Sequence, residues 1–471
     1  MEILHVSAEC YPMAKAGGLG DVVGALPKYQ NKAGHIAKVV MPMHRTKFLY
    51  ENKWDVDFKG YLHIGGQYYN FTIIKEATQK LGFDLYLVDI NGLLDRDKIY
   101  GYDDDSYRYL AFQIAVLNWL SAWEHRPDII HCHDHHSGLI PFMIKNCFDY
   151  RKLQSVPSIV TIHNAQYQGW MGWDKSYWLP AYDNWKTGEL DWNNTINPLA
   201  SAIKCAWKVT TVSWSYLNEL KYNSNGLEAL FEYEKGKCIG ILNGIDNDVW
   251  NPETDIYLKK HFGFDDVTEG KALNKQSLCK QFGLNEEVPL IVFIGRLVGE
   301  KAADILPETI KVILHGMKDA VAFLIVGSGD TAVEWQLSTM NNLYPGYYRA
   351  VIGYNEALSH EMYAGGDFLL MPSRVEPCGL NQMYAMRYGT VPMVRSTGGL
   401  QDTVTDMGDP NGFGIRFNHA SIHDIYYSVS RAVEVFKDDD HLLAMRKYMM
   451  QINHSWDKTV DEYTAVYQSV L

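Results

Sequence analysis

Apolar residues in this chain fall into short uninterrupted runs, each followed by a longer stretch where they recur every three or four positions. In the first half the runs lie at residues 3–8, 38–41, 83–88, 128–132, 158–163 and 209–213. A run that is apolar throughout, with no polar alternation, suits a strand covered on both faces, and the helical spacing that follows supplies the cover. The pattern therefore predicts repeated β–α units around a parallel sheet. A second series follows at residues 290–295, 321–327, 350–353, 368–372 and 392–395. Between the two series, Leu242-Asn243-Gly244-Ile245-Asp246 and Asn251-Pro252 concentrate turn-forming residues, which places a hinge near residues 240–255. The last segment, 455–471, returns to helical spacing and is expected to pack as a terminal helix.

A chain of 471 residues exceeds what one ordinary core holds, so each series is expected to build its own domain. Charge narrows the partners. There are 43 Lys and Arg against 56 Asp and Glu, a net −13, with no basic block, so a nucleic-acid or anionic-membrane surface is not expected. No apolar run reaches membrane-spanning length, and the opening Glu2-Ile3-Leu4-His5-Val6 lacks the basic and apolar regions of a signal peptide; a cytoplasmic protein is expected. Seven cysteines are scattered with no C-x-x-C pair, which predicts reduced thiols.

Candidate chemistry sits where strands end. After the first run comes Lys15-Ala16-Gly17-Gly18-Leu19-Gly20-Asp21, with Leu19, Val22, Val23 and Leu26 at helical spacing. A glycine loop opening a helix exposes backbone N–H groups to an anion, and the helix dipole favours a phosphate there. The spacing is neither G-x-G-x-x-G nor the P-loop, so neither NAD nor P-loop chemistry is supported. Without a ligand, the same glycines would serve a tight turn. Pro27 is expected to kink or end this helix. In the second half, Gly295-Arg296 ends a buried run and Lys301 follows; two cations at the carboxyl edge of a parallel sheet suit a diphosphate. The run 368–372 leads into Ser373-Arg374-Val375-Glu376-Pro377-Cys378-Gly379-Leu380, bringing one carboxylate to the same edge. A single acid does not suit two-carboxylate hydrolysis but can bind sugar hydroxyls or offset positive charge. Ser396-Thr397-Gly398-Gly399-Leu400 repeats the strand, glycine pair and helix arrangement as a second anion cradle.

Taken together, Lys15 to Asp21, Glu376-Pro377-Cys378-Gly379-Leu380 and Thr397-Gly398-Gly399-Leu400 resemble the bacterial glycogen synthase and plant starch synthase family. The resemblance runs nearly the whole chain through His133-Asp134, Thr161-Ile162-His163-Asn164, Leu242-Asn243-Gly244, Gly295-Arg296 with Lys301, and Ser455-Trp456. It implies an α/β GT-B fold, two Rossmann-like domains with parallel sheets facing across an interdomain cleft. The expected boundaries are 1–245, joined by a crossing helix at 453–471, and 246–452. It implies a retaining glucosyltransferase moving glucose from ADP-glucose or UDP-glucose to the non-reducing end of an α-1,4-glucan, with no metal or other cofactor and with domain closure during turnover. By the same resemblance, Arg296 and Lys301 would hold the diphosphate and Glu376 would grip the glucose. Asp134 and His163 would line the donor glucose. Lys15, Gly18, Asp21, Asn243, Thr397, Gly398 and Gly399 would complete the nucleotide-sugar site.

The chain departs from the family pattern at three places. Ala16 replaces a common Thr, His135 and His136 follow the His-Asp pair where Trp is common, and Ala302 stands where the family has Gly after the phosphate lysine. The last is a modest change if the backbone there is helical. Among the aromatics of segment 166–192, Trp170, Trp173 and Trp178 are candidates for glucan contact, and plain packing is the competing reading. The stretch His131-Cys132-His133-Asp134-His135-His136 resembles a metal cluster, but pleating sends adjacent side chains to opposite faces and no distant partner motif is evident, so no metal site is expected. A transferase with another acceptor, a silent glucan-binding homologue and a pyridoxal-phosphate glucan phosphorylase remain alternatives. Nothing in the pattern sets an oligomeric state.

Overall fold

The computed structural model describes residues 1–471, and the chain divides into two compact units: Met1–Leu242 with Trp456–Leu471, and Asn243–Ser455. The first unit holds a nine-stranded sheet. Its strands are β1 (Glu2–Val6), β2 (Ile36–Pro42), β3 (Trp54–Ile64), β4 (Gln67–Glu76), β5 (Asp84–Asp89), β6 (Ile129–His133) and β7 (Ser158–Ile162), and, after a small hairpin of β8 (Asp191–Trp192) and β9 (Thr195–Ile196), β10 (Lys208–Thr211) and β11 (Cys238–Gly240). The order across the sheet is β11-β10-β7-β6-β1-β2-β5-β4-β3. Strands β11 through β5 in that order are parallel, and β4 and β3 add antiparallel edges. Central strands such as β6 and β7 are buried at every position, which is why they read as unbroken apolar or small-polar runs.

The terminal helix Trp456–Gln468 belongs to this unit, and its stripe of Trp456, Val460, Tyr463 and Tyr467 packs on Val22, Leu26 and Tyr29 of α1 (Gly18–Lys32) and on Ile3, Ile129 and Ile159 of the sheet. Helix α1 runs through Pro27, so of the two expected outcomes, a kink or an end, the end does not occur. Pro27 cannot donate to the Val23 carbonyl one turn back, and that carbonyl instead accepts the Cys10 thiol at 3.5 Å.

The second unit holds β12 (Leu290–Ile294), β13 (Ala322–Gly327), β14 (Tyr348–Ile352), β15 (Phe368–Met371), β16 (Val391–Arg395) and β17 (Ile415–Phe417) in one parallel sheet ordered β14-β13-β12-β15-β16-β17. In sequence rank this is 3-2-1-4-5-6, the doubly wound order of dinucleotide-binding folds. A buried ion network ties the sheet to its helices: Asp367 meets Lys275 at 2.7 Å and Arg446 at 2.8 Å.

Candidate active site

In a doubly wound sheet the strand order reverses at one point, and loops leaving the carboxyl ends of the two central strands diverge there to leave a crevice. In the second unit the reversal lies between β12 and β15, so the loop carrying Arg296 and Lys301 and the loop carrying Glu376 open side by side. In the first unit it lies between β1 and β6, which brings together the glycine loop after β1 and Asp134 after β6, with His163 one strand further on. The glycine loop, Asp134, Arg296, Lys301 and Glu376 therefore fall at a reversal, His163 and Thr397 lie one strand away from one, and Asn243 follows the edge strand β11.

In the second unit, Lys301 Nζ sits 2.5 Å from Glu376 Oε2, and Ser373 Oγ donates to the same oxygen at 2.9 Å. The carboxylate is 7% exposed, so it is oriented by two donors in a nearly closed setting. Arg296 is exposed and lies 3.5 Å from Glu300. The loops are strapped by a residue the sequence did not single out. Arg374 forms a two-pronged pair with Asp304 at 2.6 and 2.9 Å and donates to the Gly299 carbonyl at 2.8 Å. Its partners lie about seventy positions away, so no spacing motif announces it.

Two expectations change here. Ala302 is not helical: its φ of 54° and ψ of 31° place a buried non-glycine residue in the left-handed region, a strained conformation that the family's glycine would adopt freely. Gly399 does not offer its N–H to a phosphate, because that group already donates to the carbonyls of Glu376 and Pro377 at 3.1 Å. A Cβ at Gly399 would lie 2.0 Å from the Cys378 oxygen, and one at Gly398 2.1 Å from the Glu376 oxygen. This glycine pair lets the helix Gly398–Thr403 press against the Glu376 loop. Thr397 occupies the N-cap position of that helix without a side-chain capping bond and is buried. Asn243 is buried, and its Oδ1 has no hydrogen-bond partner, an acceptor waiting for a donor.

In the first unit, Glu9 organises the glycine loop: its Oε2 accepts from the N–H groups of Ala16 at 2.7 Å and Gly17 at 3.0 Å, while Oε1 accepts from Tyr100 at 2.6 Å. This carboxylate was also missed, since a side chain bonded to backbone leaves no sequence signature. Lys15 pairs with Asp21 at 2.7 Å across the first turn of α1. Gly17 and Gly18 differ from the other glycines of the motif: a Cβ on either would meet nothing within 4 Å. Gly24, by contrast, lies where a Cβ would strike the Tyr11 carbonyl at 2.5 Å.

Asp134 has a φ of 56° and is 8% exposed. Its Oδ1 accepts from the His163 N–H at 2.7 Å, and burial pushes its carboxyl up to about 7. The positive φ is a strained backbone conformation for a non-glycine residue. His163 is pushed down to about 3 by burial, so its ring is neutral, and its Nε2 meets His133 Nδ1 at 3.0 Å. His131 and His133, two apart on β6, share a face as pleating dictates. His5 of β1 joins them across the sheet, its ring 4.8 Å from His131 and 5.3 Å from His133. Of the candidate tryptophans, Trp170 is 49% exposed, whereas Trp173 bonds Asp191 at 2.7 Å and Trp178 packs edge-on against Tyr107.

Two Rossmann-like units whose reversal points carry these loops define the class, the GT-B glycosyltransferases. Residues 2–233 match the starch synthase catalytic domain family and residues 274–435 match glycosyl transferases group 1. The chain is 50% identical to the glycogen synthase of Flavobacterium johnsoniae over 471 residues, covering 100% of this chain and 99% of that one. It is 35% identical to the glycogen synthase of Streptococcus sanguinis over 483 residues, with 100% of both covered. Among solved structures, the catalytic domain of starch synthase IV from Arabidopsis thaliana bound to ADP and acarbose superposes with a TM-score of 0.88 at 30% identity, covering 100% of this chain and 99% of that one. Sucrose-phosphate synthase from Thermosynechococcus elongatus, at a TM-score of 0.65 and 16% identity over 99% of this chain and 98% of that one, shares the fold alone. The chain belongs to the glycogen and starch synthase family of glycosyltransferases.

Proposed function

We propose that this chain is a retaining glucosyltransferase that takes glucose from ADP-glucose and adds it to the 4-hydroxyl at the non-reducing end of an α-1,4-glucan. Glucan elongation by glycosyl transfer follows from family membership. The observation that carries the site reading is the Lys301–Glu376 contact at the reversal point of the second sheet. As the bond between glucose and diphosphate breaks, negative charge grows on phosphate and positive charge on the sugar. Arg296 and Lys301 are the cations to meet the first, and Glu376, acidic and already oriented, grips the sugar hydroxyls and favours the second. Lys15, Asp21 and the open backbone at Gly17 and Gly18 serve the distal phosphate, with Thr397 and Gly398 beside the Glu376 loop. Asp134 and His163 line the donor glucose, Asn243 Oδ1 accepts from a sugar hydroxyl, and Trp170 offers a ring face to the acceptor.

Support for the adenine nucleotide comes from the Arabidopsis starch synthase, which was solved with ADP. The test is to incubate purified protein and glycogen with ADP-glucose or UDP-glucose, following nucleotide release and the anomeric configuration of the new linkage. Faster release from ADP-glucose with an α-linked product is expected. No transfer from either donor would sink the proposal.

A further inference from the structure

Seven hydrogen bonds join eight buried side chains of the first unit into one line. His163 Nε2 meets His133 Nδ1 at 3.0 Å, His133 Nε2 meets His5 Nδ1 at 3.0 Å, and His5 Nε2 meets Gln30 Oε1 at 2.8 Å. From Gln30 the line continues: Nε2 donates to the Tyr467 hydroxyl at 3.0 Å, that hydroxyl meets His131 Nδ1 at 2.8 Å, His131 Nε2 meets Thr161 Oγ1 at 2.6 Å, and Thr161 meets Thr210 at 2.6 Å. All but His163 have no exposed surface, and His163 is 9% exposed at the end of β7. His5, His131 and His133 bring ring nitrogens within 4.8 Å of one another, as a metal would require, but every nitrogen of the three rings is already engaged by a neighbour in this line.

The Gln30 amide gives the line a direction. An amide oxygen only accepts, so His5 carries its proton on Nε2, and a neutral ring then accepts at Nδ1. His133 must therefore donate from Nε2 and accept at Nδ1, and His163 must donate from Nε2 in turn. On the other side an amide nitrogen only donates, so Tyr467 passes its own proton to His131 Nδ1, and His131 donates from Nε2 to Thr161. Burial keeps all four rings neutral, since it depresses each of them well below the usual imidazole range.

We propose that this line locks His163 as its Nε2–H tautomer and so fixes Nδ1 as an acceptor for a hydroxyl of the donor sugar, with His133, His5 and Gln30 as positioning residues. The use made of Nδ1 rests on the placement of His163 at the donor glucose given above; the tautomer lock does not. A histidine free to exchange tautomers would present a donor part of the time and would not distinguish a hydroxyl's hydrogen from its lone pairs. Tyr467, from the terminal helix, anchors the amide that sets the direction.

The test is long-range proton–nitrogen correlation spectroscopy of protein carrying 15N-histidine at pH 7, assigned with single histidine variants. His5, His131, His133 and His163 should all show a protonated Nε2 and a bare Nδ1. A protonated Nδ1 or an imidazolium pattern at His163 overturns the proposal. In Gln30→Glu the new carboxylate accepts from both His5 and Tyr467, so Tyr467 reverses and His131 alone should switch to protonated Nδ1; an unchanged His131 also overturns it. Gln30→Met, which adds no charge to the core, should leave His163 a mixture of tautomers and raise KM for the nucleotide-sugar about twofold for an even mixture, with kcat little changed. A locked tautomer there refutes the role of Gln30. If the wild-type pattern is as stated but His163→Ala leaves the donor KM unchanged, the lock stands and the placement of His163 at the donor falls.

Discussion

Substituting alanine at Gly18 and at Gly399 should have opposite effects, although both residues sit at the start of a helix in a Gly-Gly pair. At Gly18, the first residue of α1, a Cβ meets nothing within 4 Å. Alanine there restricts the unfolded chain and favours the helix, a gain of about 0.5 kcal/mol for a first-turn position, which raises Tm by about 1 °C in a unit of this size. The protein thus gains nothing in its own packing from glycine at this position. If the open space is where a phosphate approaches the backbone, the added methyl should lower kcat/KM by about ten- to a hundredfold, the 1–3 kcal/mol typical of an overfilled contact. At Gly399 the Cβ would stand 2.0 Å from the Cys378 oxygen and 2.5 Å from its carbonyl carbon, and neither atom can swing away because both are backbone. The same residue holds two carbonyls through its N–H. Alanine should therefore destabilise by about 3 kcal/mol or more and lower Tm by several degrees. Thermal unfolding followed by tryptophan fluorescence, with initial rates of nucleotide release, separates the two. A Gly18→Ala enzyme with normal kcat/KM would refute the close approach of ligand to this loop, and a Gly399→Ala protein of unchanged Tm would refute the packing role.

Glu376→Gln keeps the shape but removes the charge that meets Lys301 and the developing sugar cation, so kcat should fall about a hundredfold or more with the fold intact; steady-state rates and circular dichroism check both. Ala302→Gly should be close to neutral in stability: relief of left-handed strain, about 1–2 kcal/mol, is offset by a lost buried methyl of about 0.8 and a more flexible unfolded chain of about 0.4–1 kcal/mol, so a denaturant-midpoint shift equivalent to more than about 1 kcal/mol in either direction refutes that balance. His5, His44, His131, His133, His135, His136 and His163 are all depressed by burial, so on acidification their rings gain protons in the unfolded chain before the folded one; their contribution is intact above about pH 6.5 and is lost as pH falls toward 4. Asp134, raised to about 7, acts in the opposite sense by one proton. Unfolding at pH 5 should thus take up several protons, at about 1.4 kcal/mol per pH unit for each, and fewer than two from the slope of stability against pH would show that these rings are not buried neutral.

Eleven of the thirteen parallel strands were legible because burial on both faces writes itself as a continuous run, whereas the three-residue edge strands β11 and β17 are too short to do so. The hairpin of β3 and β4 was missed for the complementary reason. Its exposed face alternates polar with apolar residues, and its turn, Gly65-Gly66 at φ of 58° and 79°, is the glycine pair that a period-two search would have used. Strand order lies beyond any local pattern, and so does everything that depends on it, including the register that sets His5 beside His131.

The site divides along the same line. Lys301 and Glu376 could be read as loop chemistry because each follows a recognisable strand, but their 2.5 Å contact is a product of two loops meeting at a reversal point. Glu9 and Arg374 act on backbone and on a distant acid, interactions that carry no spacing and leave no signature. The glycines show the limit most clearly. Gly17, Gly18, Gly24, Gly398 and Gly399 look alike as letters. The space around each separates them: Gly24, Gly398 and Gly399 are required by a neighbouring carbonyl, and Gly17 and Gly18 by nothing within the protein. Under the function proposed above, a residue that the fold does not need, in a loop that Glu9 holds in place through two of its backbone N–H groups, is kept for the ligand.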